Sequence, residues 1–176
     1  SAGSQAALTD AARRLALAGA DVADADLPGW FADLRRAQAT VMAFEAARSF
    51  APERREHEAR LSPKLRALLD EGAARSPAEY LDALRLAEAG RQALGALFER
   101  HDLLLTPSAL GVAPAGLDST GDPGCNRTWT LLGTPCAHLP TGTGEGGLPV
   151  GVQLVGRPGD DARLLAMAAW AEQQLA

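Results

Sequence analysis

Lysine is nearly absent from this chain of 176 residues: of its 17 basic side chains, 16 are arginine and Lys64 alone is lysine. The skew reads as codon usage rather than as a physical adaptation. Cysteine is scarce too. Cys125 and Cys136 stand eleven positions apart, with no Cys-x-x-Cys pair and no histidine at zinc spacing, which argues against a metal centre. A chain of this size does not need a disulfide, and reduced thiols in the cytoplasm are the expectation. No apolar run approaches the length of a bilayer span, so no membrane partner is expected. A signal peptide is not apparent, because Ser1–Gln5 is small and polar and Ala6–Leu17 carries Asp10, Arg13 and Arg14. There is no surplus of positive charge: the net charge is −5, with acids and bases interleaved, which argues against nucleic acid or anionic lipid as a partner. Internal repeats and low-complexity tracts are missing as well, so residues 1–176 are expected to form a single packing unit.

What is present is ordinary globular composition, 47% hydrophobic and 22% charged. The length suffices to bury roughly 70% of the unfolded surface. Residues 1–101 read mainly as helix. Leu8, Ala12, Leu15 and Ala18 follow helical spacing up to a stop at Gly19, and Phe31, Leu34, Val41 and Phe44 mark one face of a helix reaching Phe50. Between them, the stretch Asp21–Pro28 is compatible with a short strand. Glu45 is expected to pair with Arg48 three positions on. Ser62-Pro63 and Ser76-Pro77 each place an N-cap serine before a proline, and Glu79 completes a capping box with Ser76. The second signal opens a helix to about Arg100, with Leu81, Leu84, Leu94, Leu97 and Phe98 toward a core. Gly90 and Gly95 inside it suggest close packing against another element.

After His101 the pattern changes to strands. Asp102–Ser108, DLLLTPS, is a short apolar run that stops at Pro107. A loop rich in Gly, Pro and Ser follows to Gly124, then RTWTLLG reads as a helical turn ended by Gly133. PCAHLP and LPVGVQLVG read as strands, and Asp160–Leu175 as an amphipathic last helix through Leu164, Met167 or Ala168, Ala171 and Leu175. The expected fold class is α/β: a mixed sheet from residues 102–176, flanked by helices.

One motif invites a nucleotide reading. Gly142, Gly144 and Gly147 have the G-x-G-x-x-G spacing. A dinucleotide loop must open a helix, whose free N–H groups hold the pyrophosphate. Here the run after Pro149 is strand-like, so the glycines are read as a turn between strands, and no cofactor is expected.

Three segments in order resemble the carboxyl-terminal portion of the amidase signature family. DLLLTPS is similar to the family's Asp-x-Leu-Leu-x-Pro strand. TGDPGCNRTWTLLGTPCAHLPTG, Thr120–Gly142, resembles its small helix, Gly-x-Pro and Leu-Pro-x-Gly segment. GLPVGVQLVGRPGDDARLLAMA, Gly147–Ala168, looks like its closing Gly-Leu-Pro-x-Gly-x-Gln-x-x-Gly strand and terminal helix. The resemblance implies part of a hydrolase of amide carbon–nitrogen bonds, whose members use a serine nucleophile, a second serine on a cis peptide and a lysine. No Gly-x-Ser-Ser-Gly-like run occurs in this sequence. Ser62-Pro63-Lys64 is its one Ser-x-Lys pair, and Ser62 is assigned to a helix start. No catalytic residue is therefore assigned, and this chain alone is expected to be inactive.

The histidines do not supply a substitute triad. His57 lies in a charged helical face, and His101 follows a long helix whose C-terminal dipole favours a cation. Asp160-Asp161 fits a helix N-terminus, where negative charge is favoured. Four residues are candidates for touching a substrate: Asp122 in a Gly-Asp-Pro turn, Asn126 and Trp129 beside it, and His138 in the PCAHLP strand, where the family usually has a small or apolar residue. Each also has a purely structural reading: an Asx turn for Asp122, core packing for Trp129, a satisfied strand position for His138. The expected partner is a small-molecule amide, if the rest of the amidase is supplied. Exposed edges of an incomplete sheet would favour self-association. The rival reading is a non-catalytic binding or oligomerisation module. The amidase-like component of a tRNA-dependent amidotransferase is a weaker third, because the acidity gives no nucleic-acid signal.

Overall fold

A computed structural model describes every residue from Ser1 to Ala176. In chain order the elements are α1 (Ala2–Leu17), α2 (Leu34–Ser49), α3 (Ala51–His57), α4 (Pro63–Ala74), α5 (Pro77–Phe98), β1 (Leu104–Pro107), α6 (Gly124–Leu132), β2 (Cys136–Thr143), β3 (Pro149–Val155) and α7 (Asp161–Leu175). Short 3-10 turns occupy Gly29–Asp33, Glu58–Arg60 and Glu145–Gly147. The chain divides into two compact units, Ser1–Leu27 with Ala93–Ala176, and Pro28–Gln92.

The first unit is built on a three-stranded sheet of order β1-β3-β2. Both pairings are antiparallel, where a mixed sheet was expected. For β2 and β3 the reason lies in chain length: only Gly144–Leu148 separates them, which makes a hairpin, whereas a parallel crossover needs a dozen residues or more. The glycine motif is thus the turn of this hairpin. Gly144 N–H donates to Leu148 O at 2.7 Å, closing it.

Register assigns the two faces of the sheet. Leu105, Leu154 and Ala137 form one cross-strand row, and Val152 and Leu139 belong to the next row on that side. These residues pack with Ala11 and Leu15 of α1 and with Leu164, Ala168, Ala171 and Leu175 of α7. The spacing of the α7 set is helical, so one stripe meets the sheet. Each buried leucine contributes roughly 1.5–3 kcal/mol. Arg14 fastens α1 to the end of α7 by donating to the Gln174 and Ala176 carbonyls at 3.0 and 2.8 Å, where a helix leaves acceptors unpaired.

The second unit is helical. Ser62 caps α4 by accepting from Leu65 N–H at 3.2 Å. Ser76 and Glu79 form the reciprocal box that opens α5: Glu79 Oε2 accepts from Ser76 N–H at 2.8 Å, and Ser76 Oγ accepts from Glu79 N–H at 3.2 Å. Helices α2 and α4 cross so closely at Gly72 that a Cβ there would stand 1.8 Å from Ala43 O. Phe44 stacks on Tyr80 with ring centres 4.3 Å apart, and the Arg48 guanidinium lies 3.1 Å from the Phe44 ring centre.

Four expectations are corrected by this structure. Residues 21–28 form no strand, because none of their backbone groups joins a ladder and they lie exposed. Leu81 is 49% exposed, while Ala83 and Ala87 are the buried residues of that stretch. Gly95 has no close neighbour for a Cβ to meet, so it marks no tight contact. Glu45 accepts from the Tyr80 hydroxyl at 2.8 Å, leaving Arg48 to donate to Phe44 O at 2.8 Å. That hydrogen bond to a carboxylate also holds the Tyr80 phenol above its ordinary range.

Candidate functional site

The face of the sheet turned away from α1 and α7 carries the polar row Thr106–Gln153–His138. Gln153 is 3% exposed, and its amide donates to Pro107 O at 3.1 Å and to Cys125 O at 3.2 Å. Next to this row, Ser108 Oγ donates to Gly151 O at 3.0 Å, and Asn126 Nδ2 donates to Ser108 O at 3.4 Å. Hydrogen bonds therefore tie the last residues of β1, the first turn of α6 and the middle of β3 into one block. Thr106 Oγ1 is buried in this block with no hydrogen-bond partner.

The four candidate residues occupy different positions relative to it. Asp122 makes the Asx turn, its Oδ1 accepting from Gly124 N–H at 2.8 Å and leading the chain into α6. Asn126 sits within the block through Ser108. Trp129 is turned inward at 7% exposed, and its carbonyl accepts from the Thr134 N–H and hydroxyl at 3.1 and 3.2 Å, just past the helix stop at Gly133. His138 is exposed on β2, across from Gln153. Asn126 thus bonds to Ser108, whose hydroxyl donates to Gly151, the residue against which the His138 ring lies.

Sequence reasoning missed Gln153, Ser108 and Thr106. A signal was available for the first: Gln153 is the one polar side chain in the Val150–Val155 run, and a polar residue in a buried strand needs partners. Nothing in local spacing announced that Thr106 would be buried unpaired.

The block offers donors and acceptors but little nucleophilic power. The Ser108 hydroxyl is committed to a carbonyl, not to a base. At the start of β2, partial burial pushes the Cys136 thiol up, which disfavours its thiolate. A cavity of about 510 Å³ lies on the opposite face, bounded by Leu105, Leu154, Trp170, His101 and Arg100 among others, and none of the four candidates borders it. No helix is long and apolar enough to cross a membrane.

The family model described as Amidase matches residues 1–165. Among curated relatives, a glutamyl-tRNA(Gln) amidotransferase component from Moorella thermoacetica is 39% identical over 104 residues, covering 55% of this chain and 21% of that protein. Putative amidase AmiB2 of Mycobacterium bovis is 34% identical over 130 residues, covering 66% of this chain and 28% of the relative. The crystal structure of an amidase superposes with a TM-score of 0.83 at 30% identity, covering 98% of this chain and 42% of that one. A bacterial aryl acylamidase of the amidase signature family shares the fold at 23% identity and a TM-score of 0.76. The chain thus spans less than a third of the length of these curated relatives and under half of the solved amidase.

Proposed function

We propose a role for this chain from one premise: it belongs to the amidase family. The role is that of the carboxyl-terminal part of a hydrolase acting on the carbon–nitrogen bond of a small-molecule amide. Both compact units belong, in this reading, to one amidase-type domain. The observation that carries it is the superposition of nearly the whole chain on 42% of a solved amidase. The share of that fold without a counterpart here supports assigning the serine–serine–lysine machinery to other residues. Ser62 supports the same assignment, since its hydroxyl caps α4 through Leu65 and Lys64 sits in the first turn of that helix.

The α6 side of the sheet is then one wall of the substrate pocket. Asp122 and Asn126 contribute polar atoms from the loop and the helix start, Trp129 its ring from α6, and His138 its imidazole from β2. Such a wall binds and orients an amide; the bond is cleaved by groups carried elsewhere in the polypeptide. A role in a tRNA-dependent amidotransferase, like that of the Moorella relative, is the less favoured version, because the net charge of −5 offers no attraction to RNA.

Turnover of a simple aryl amide tests the reading. The 176-residue chain alone should show none, and the full polypeptide encoded by its gene should hydrolyse the substrate. Activity of the isolated chain, abolished by Lys64→Ala, would contradict the assignment. A full polypeptide that binds small amides without hydrolysing any would favour the non-catalytic module instead.

A further inference from the structure

Gln153 supplies two hydrogens, and both are spent on main-chain carbonyls: Pro107 O at 3.1 Å and Cys125 O at 3.2 Å. Carbonyl oxygens only accept, so the NH2 end of the amide must be the end that faces them. Pro107 is the last residue of β1, and Cys125 is the second residue of α6. One buried side chain on β3 therefore grips the two ends of the loop from Ser108 to Pro123. We infer that Gln153 is a positioning residue: it clamps this loop shut at its base and sets where Asp122 and Asn126 stand relative to His138.

Three features support a clamp rather than an incidental polar contact. The side chain is 3% exposed, so water does not compete for the two carbonyls. The loop between the clamped ends contains no helix or strand of its own, so its base governs its course. The neighbouring bonds, Ser108 Oγ to Gly151 O and Asn126 Nδ2 to Ser108 O, brace the same two ends and would follow any movement there. That the clamped loop walls a substrate pocket rests on the amidase reading above; the clamp itself does not.

Peptide-resolved amide hydrogen exchange on the 176-residue chain tests it, using the wild type, Gln153→Met and Gln153→Glu. Methionine keeps the length of the side chain and loses both donors. Exchange across 108–132, the loop with the helix it leads into, should rise on the order of tenfold, while α1 and α7 keep their protection. Glutamate gives a sharper readout. An ionised carboxylate facing two carbonyl oxygens is repelled, and a neutral carboxyl can donate one hydrogen. In Gln153→Glu the loop should therefore be partly protected near about pH 5 and lose that protection toward about pH 8, after correction for intrinsic exchange. The wild type measured over the same range is the baseline, because His138 across the strand and Asp122 and Cys125 at the loop end are ionisable neighbours.

A clamp is contradicted if Gln153→Met leaves loop exchange unchanged, or if protection falls equally throughout the unit. Should methionine prevent folding, Gln153→Glu at low pH still decides: a merely space-filling role predicts full wild-type protection once the isosteric carboxyl is neutral, whereas a clamp left with one donor recovers only in part. Hydrolysis plays no part in these measurements, so their failure leaves the amidase reading standing. In the full polypeptide, Gln153→Met should raise KM several-fold with kcat little changed, as lost positioning of a binding wall requires. A clamp seen by exchange, together with a full polypeptide that turns over no amide, would instead remove the amidase reading and keep the clamp.

Discussion

The imidazole of His138 occupies the space that a side chain at Gly151 would need. A Cβ at Gly151 would stand 2.5 Å from His138 Cε1 and 3.0 Å from Nε2, with Leu139 O at 2.3 Å. The pairing of Pro140 with Gly151 and of His138 with Gln153 explains the geometry, since the ring reaches along its own side of the sheet by one residue pair. Gly151→Ala should therefore destabilise the chain by about 1–3 kcal/mol, the usual cost of overpacking. Adding His138→Ala should return only part of the loss, because the Leu139 carbonyl is backbone and remains. Urea denaturation of the two single variants and the double variant measures this coupling. A Gly151→Ala protein as stable as wild type would show that the ring does not sit there.

The capping box that opens α5 has a pH signature. Glu79 is held below the ordinary carboxylate range, first by the backbone N–H of Ser76, then by the Ser76 hydroxyl and by Arg75. A carboxylate depressed in the folded state contributes stability that is fully present above its unfolded value, about 4.3, and is lost as pH falls through the lower folded value. The stability gap between wild type and Glu79→Gln should be constant from about pH 6 to 8 and close below about pH 4. Ser76→Ala should cost about 1 kcal/mol at neutral pH by removing the N-cap acceptor. Denaturation midpoints across pH provide the check, and a gap that widens in acid would reverse the sign of the argument.

These two cases show what was legible in the sequence. Ser76-Pro77 with Glu79 is a local device whose partners lie within one helical turn, so spacing alone announces it. The strands were legible for the same reason: Pro107, Gly133 and the glycines before Leu148 punctuate them locally. Asp21–Leu27 failed because a strand needs a ladder partner, and alternation cannot say whether one is present. Glu45 failed because its partner, Tyr80, lies 35 positions away and outcompetes the helical neighbour Arg48. The Gln153 contacts span 46 and 28 positions; the polar residue was visible, and its partners were not.

Thr106 Oγ1 is buried with no hydrogen-bond partner, on the face that also carries Gln153 and His138. An unsatisfied buried hydroxyl costs roughly 1–3 kcal/mol. Valine has nearly the same shape without the polar atom, so Thr106→Val should stabilise the isolated chain by about 1 kcal/mol, read as a shift in the urea midpoint at unchanged slope. In the full polypeptide, the same substitution should weaken amide binding if the hydroxyl is held in reserve for substrate. Loss of stability in the isolated chain would mean that the hydroxyl is bonded in solution and not held unpaired.

Within this chain β1 and β2 each have a single bonded neighbour, β3. Each therefore presents an outer edge of N–H and C=O groups, the arrangement that invites pairing with another strand. β1 reads Leu-Leu-Thr-Pro and carries no charge to discourage it. Exposed Leu17, Val22, Leu165 and Trp170 add apolar surface to the same unit. The isolated chain should accordingly associate with itself: sedimentation equilibrium should give an apparent mass that rises with concentration above that of one chain. Leu165→Lys puts a charge into this exposed apolar surface and should shift the association to higher concentration. Gln92→Lys, with equal charge in the other unit, should not. A single species with the mass of one chain at every concentration would mean that other features already protect these edges. The full polypeptide should not show the concentration dependence, because the amidase reading places further protein against these surfaces.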